Sequence, residues 1–161
     1  MLDFAQTLSY ICKVKGNEAK INTTIMKKIL VGGQALRNMG SDRYTSDVDY
    51  LIKDENNTSA FIHDVTNDID YLNASGNKFF NEIYKLEEGN DQASAQSLLE
   101  LKAYAFVQHC QNFNFKKADA CEYDIKFLVR FADLKSCKIA VKYMTAGEYS
   151  EVEKIILSVK K

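Results

Sequence analysis

Several things this chain lacks narrow its reading before any motif is considered. Its 161 residues contain no stretch approaching eighteen consecutive apolar residues, which excludes an ordinary membrane-spanning helix. The start, MLDFAQTLSYICK, has no basic opening followed by an apolar run and a small-residue cleavage site, so the expected location is the cytoplasm. The four cysteines, Cys12, Cys110, Cys121 and Cys137, form no C-x-x-C pair, and His63 and His109 stand at no metal-like spacing from them. Zinc ribbons and fingers are thereby disfavoured, and the thiols are expected to be reduced and partly buried. Proline is absent while Asn and Lys are plentiful, a bias that carries no function. Net charge is only −1, and no basic run reaches the density of a nucleic-acid-binding arm.

The composition is that of an ordinary globular protein, 46% hydrophobic and 27% charged, and the length suits one domain with a real core. The near-neutral balance hides a pattern along the chain. Residues 1–40 carry six Lys or Arg against two acids, residues 41–100 four against thirteen, and residues 101–161 eleven against seven. An acidic middle flanked by mildly basic segments suits a cleft with carboxylates on one wall and cations on the other, although charge runs are more often solvated faces.

The segment Ile29 to Ile52, ILVGGQALRNMGSDRYTSDVDYLI, concentrates the chemistry. Ile29, Leu30 and Val31 form a short strand-like run ending at Gly32 and Gly33, which can take positive φ and admit a phosphate close to the backbone. A helix is expected to begin just beyond, at Gln34 or Ala35, aiming unpaired N–H groups at an anion. Thirteen residues then separate Gly33 from Asp47, enough for a short helix and a return into a second strand over Asp47–Ile52. Alternate strand residues share a face, so Asp47 and Asp49 are expected to form a hard-oxygen site for Mg²⁺ or Mn²⁺ carrying substrate phosphates. The plainer alternative is a crossover whose glycines merely turn the chain and whose aspartates are solvated. Arg43 and Thr45 are candidates for contacts to phosphate, or for pinning the loop through an ion pair or a turn.

Elsewhere, helices are expected near Leu2–Cys12, at Thr23–Met26, over Lys78–Leu86, from Ser94 onward, and over the tail Gly147–Lys161. Thr58–Val65 also reads as helical, after the polar loop at residues 53–57. A third strand is expected over Asp68–Asn73, where polar and apolar residues alternate before the turn at residues 74–77. Most of the eighteen Tyr and Phe residues are expected in the core.

At GG-x-AL, Gly40 and Arg43-x-Thr45-x-Asp47-x-Asp49 the chain resembles the nucleotidyltransferase superfamily, whose signature is a Gly-Gly or Gly-Ser turn followed by Asp-x-Asp or Asp-x-Glu. The extended pattern resembles the abortive-infection (AbiEii-like) toxin branch. That resemblance covers about Ile29 to Leu128. It implies an α/β (α+β) fold of polymerase-beta-like type, a short mixed sheet flanked by helices with residues 1–90 forming the sheet-containing half and residues 91–161 a mainly helical one. It implies a third acid on a neighbouring strand, completing the metal site and acting as base on the attacking hydroxyl. Asp70 is the best-placed candidate, and Asp68 is the understudy. SLLELKAYAF resembles the family's leucine-rich helix, in which Lys102 would hold nucleotide phosphate as a compact point charge. Tyr123-Asp124-Ile125 resembles its last motif, making Asp124 the carried-over acid, with a role in ordering Lys102 or a hydroxyl. The chain departs from the pattern at Cys121, where the family has its first acid; Asp119 lies two residues earlier.

The resemblance therefore implies a Mg²⁺- or Mn²⁺-dependent transfer of a nucleoside monophosphate from a nucleoside triphosphate. Asp47, Asp49 and Asp70 would serve as catalytic and metal residues, and Gly32, Gly33, Gln34, Arg43, Thr45, Lys102 and Asp124 as nucleotide-site residues. The acceptor is open between tRNA or other RNA, a protein and a small molecule, and an antitoxin partner is implied by the toxin branch. No DNA-binding motif is present. The alternative is a non-catalytic scaffold of the same fold that binds nucleotide or a partner without turnover.

Overall fold

The computed structural model describes residues 26–159. Four strands and five α-helices make a mixed α/β architecture. The strands are β1 (Ile29–Val31), β2 (Val48–Ile52), β3 (Phe61–Asp64) and β4 (Ile69–Asn73), arranged in one sheet in the order β1-β2-β4-β3. β1 runs antiparallel to β2, β2 parallel to β4, and β3 antiparallel to β4. The helices are α1 (Gly32–Asn38), α2 (Lys78–Glu87), α3 (Ala95–Gln111), α4 (Phe115–Leu128) and α5 (Ala146–Ser158), with a 3₁₀ turn at Ala140–Tyr143. No helix among the described residues is long and apolar enough to cross a membrane.

Local chemistry explains most of these elements. Asn77 starts α2 by accepting from the amides of Phe79 and Phe80, Ser94 starts α3 by accepting from Ser97 N, and Thr145 with Glu148 forms a reciprocal capping box on α5. Ile29 and Val31 of β1 are fully buried among Ala35, Leu36, Phe79, Ile83, Leu98 and Leu99, so the apolar run before the two glycines is a core strand. α3 and α4 pack along each other, joined by a tight turn in which Phe113 takes φ +56°. Glu100 on α3, 2% exposed, accepts from the backbone amides of Lys138, Ile139 and Ala140, so the chain after α4 is stapled to the helical half by one buried carboxylate.

Some expectations change. The expected helices near Leu2–Cys12 and at Thr23–Met26 fall outside the described residues, apart from Met26, which is not helical. The expected helix over Thr58–Val65 is instead the edge strand β3. Its four residues are all half-buried and show no period-2 alternation, so the strand is set by pairing with β4 rather than by its own pattern. α1 begins at Gly32, before the expected Gln34 or Ala35. Among the described residues Cys110, Cys121 and Cys137 are free thiols, and burial pushes the last two up.

Candidate functional site

The two motifs meet. Gly32 has φ +65°, a conformation glycine takes without a Cβ penalty, and a Cβ built there would collide with the Asp49 carboxylate. Gly33 is packed as closely against another motif residue: a Cβ on it would lie 2.8 Å from Thr45 Cγ2. Both glycines are thus required by close approach, and what approaches is the Asp-x-Asp segment itself. β1 pairs with β2 so that Val31 stands opposite Asp49, which brings the bend over the carboxylate.

Asp49 is the electrostatic centre. Its carboxyl is pushed from the ordinary 3.8 up to about 6, chiefly by burial and further by the charges of Asp70 and Asp47, while Lys102 and the Gly33 N–H pull the other way. In the parallel β2/β4 ladder Asp49 is the register partner of Asp70, so the two side chains stand side by side on one face. The fold therefore gathers like charges around a half-buried acid, an arrangement that costs stability unless a cation answers it.

The other candidates are distributed around this pair. Asp47 lies just before β2 rather than in it; it is exposed, with its amide bonded to Thr45 Oγ1 at 3.3 Å and Ser46 Oγ bonded to its carboxylate. Thr45 therefore serves a local turn as well as packing on Gly33. Asp68 does not share the β4 face. It sits in the β3–β4 turn at φ +53°, 91% exposed, because Asp64 accepts from Thr66 N and Asn67 N and bends the chain before β4 begins at Ile69. Gln34 is directed along α1, donating to Asn38 at 3.4 Å.

Arg43, Lys102 and Asp124 form one cluster. Arg43 Nε and Nη2 donate to the two oxygens of Asp124 at 2.7 and 2.8 Å, and Lys102 Nζ lies 2.8 Å from Oδ2 of the same carboxylate, which is fully buried. Of the two roles open to Arg43, loop pinning is the one seen: a bidentate pair across 81 sequence positions ties the segment ahead of β2 to α4. Tyr123 adds a second tie, donating to Asp42. Two cations share one anion, so a positive charge remains in excess, and the Lys102 charge lowers the Asp49 pKa against the effect of burial. Asp119 makes no part of this cluster as described; it bears on the Cys110 thiol of α3.

Sequence reasoning missed His63. On β3 it is the register partner of Asp70, and its Nδ1 lies 2.7 Å from Asp70 Oδ1. The turn residues Val65-Thr66-Asn67-Asp68 between two short runs were the available hairpin signal.

A divalent cation fits the donor set. Asp49 and Asp70 supply adjacent hard oxygens, and burial, with the neighbouring Asp70 and Asp47 charges, makes the ionised Asp49 carboxylate costly despite Lys102. Among the described residues no group of three or more His, Cys, Asp or Glu is gathered at metal-binding spacing. Mg²⁺ is ordinarily held by one or two carboxylates together with waters and substrate phosphates, so a pair is the relevant protein contribution. Among family models, curated proteins and solved structures, none matches this chain.

Proposed function

We propose that this chain is a metal-dependent nucleotidyltransferase of polymerase-beta-like fold, transferring a nucleoside monophosphate from a nucleoside triphosphate to an acceptor. The observation that carries the reading is the Asp49 carboxylate, pressed into a glycine bend, beside Asp70 and under the charge of Lys102. Asp49 and Asp70, with Asp47 at the strand entrance, would hold Mg²⁺ or Mn²⁺. Bound there, the cation supplies charge neutralisation on the triphosphate and on the departing pyrophosphate. Lys102 adds positive charge, and its three N–H donors are not exhausted by Asp124. Gly32 and Gly33 let the Asp49 carboxylate and Thr45 come close to the backbone of the bend, and Gln34 follows them on α1. The acceptor oxygen forms a bond to the α-phosphorus, the bond to pyrophosphate breaks, and Asp70 takes the acceptor's proton. Arg43 and Asp124 act by holding this wall in place.

RNA, tRNA included, or a protein is the acceptor class to examine first, and the toxin branch that the sequence resembles would add an antitoxin partner. The test is direct. Purified protein is incubated with each α-labelled triphosphate, Mg²⁺ and total tRNA or lysate, beside Asp49→Ala. Label in a macromolecule, lost with the variant, supports transfer; nucleotide bound without any transfer favours the scaffold instead.

A further inference from the structure

His63 contacts the acid pair through Asp70, and the proposed chemistry leaves it without a task. Along the sheet, Val31, Asp49, Asp70 and His63 are successive register partners across β1, β2, β4 and β3, which sets them in one row on one face. His63 Nδ1 lies 2.7 Å from Asp70 Oδ1. A carboxylate oxygen accepts, so in the tautomer that makes this hydrogen bond Nδ1 is the donor; Nε2 lies 3.9 Å from Asp68 Oδ1, beyond hydrogen-bond range.

Stability does not account for this pair. The two side chains are 33% and 50% exposed, and an ion pair or charged hydrogen bond in that setting is worth about 0–1 kcal/mol. Its geometric effect is larger. Asp70 stands on a short strand with a free χ2, and fastening one of its oxygens fixes the plane of the carboxylate. We propose that His63 is a positioning residue for Asp70: its Nδ1–H holds Oδ1 so that Oδ2 is left for a divalent cation shared with Asp49. This inference rests on Asp49 and Asp70 being cation ligands. Partners that orient a ligating carboxylate typically carry about 10–100-fold in metal affinity.

The test uses the full chain and Mn²⁺ alone, with free Mn²⁺ read by electron paramagnetic resonance, so that no turnover is needed. His63→Ala is expected to weaken Mn²⁺ binding about 10-fold. His63→Asn, whose amide N–H falls near the Nδ1 position, is expected to restore most of the affinity; His63→Gln, which places its donor near Nε2, is not. A stability loss with unchanged Mn²⁺ affinity marks a merely structural contact and overturns the proposal, as does equal binding by Asn and Gln variants. Should His63→Ala fail to fold, the Asn and Gln pair decides. Failure of the underlying reading looks different: a wild type that binds no Mn²⁺, or binds it equally after Asp49→Ala, removes the ligands themselves, and the inference falls with them.

Discussion

Replacing Asp49 with Asn should make the ligand-free protein more stable at neutral pH. The folded protein raises this carboxyl from the ordinary 3.8 to about 6, through burial and the neighbouring Asp70 and Asp47. The folded state thus holds the proton more tightly than the unfolded chain does, and the stability tied to it is present below about pH 4 and lost as pH rises to about 6. At about 1.4 kcal/mol for each tenfold change in proton affinity, the rise from 3.8 to about 6 makes ionising Asp49 cost about 3 kcal/mol at neutrality. Asn keeps the shape and an acceptor for the Gly33 amide, and removes the charge. For a domain of this size a gain of about 3 kcal/mol corresponds to a melting-point rise of about 6–12 °C. Thermal and urea unfolding of both proteins from pH 4 to 8 reads the difference, which should be small at pH 4, grow to pH 6 and then level off. Millimolar Mn²⁺ or Mg²⁺ should raise the wild-type melting point and leave the variant's unchanged. An Asn variant no more stable than wild type at pH 7.5, or a difference flat from pH 4 to 8, would refute the electrostatic reasoning.

Three further expectations follow from the same geometry. Gly32→Ala places a methyl against the Asp49 carboxylate at a positive φ, and should lose about 1–3 kcal/mol in urea unfolding; adding Asp49→Ala removes the collision partner and should recover part of it, a coupling that independent effects would not show. Asp124→Ala strands Arg43 and Lys102 without their buried anion and should cost about 3–5 kcal/mol, with Arg43→Lys losing less but abolishing the bidentate contact. Glu100→Gln sets an NH₂ group against the amides of Lys138, Ile139 and Ala140 and should cost about 1–3 kcal/mol, with hydrogen exchange at those amides quickened before the rest of the fold.

Features with a short-range cause could be read from the sequence. The bend at Gly32-Gly33 followed an apolar core run, and the Asp-x-Asp segment led a strand whose alternation carried Asp49 to the face it occupies. α2, α3 and α5 were marked by helical periodicity over Lys78–Leu86, from Ser94 onward and over the tail from Gly147, and the structure adds side-chain caps at Asn77, Ser94 and Thr145. What depended on pairing between distant residues was hidden. β3 has no alternation of its own and exists because β4 offers it hydrogen-bond partners. The choice between Asp70 and Asp68 turned on where the hairpin ended, and Asp64's side chain set that by capping the turn. Arg43 and Asp124 are 81 positions apart, and no local pattern announces that their side chains meet rather than reach for a nucleotide.

The central claim is that the crowded carboxylates at Asp49 and Asp70 serve phosphoryl chemistry at the α-phosphorus. Parallel reactions with α-labelled and γ-labelled triphosphates, with Mg²⁺ and a cell extract as acceptor source, test it most directly. The account predicts macromolecular label from the α-phosphate only, the γ-label leaving in pyrophosphate, and neither product with Asp49→Asn. Label transferred from the γ-phosphate, or α-label transfer undiminished by that substitution, would contradict it.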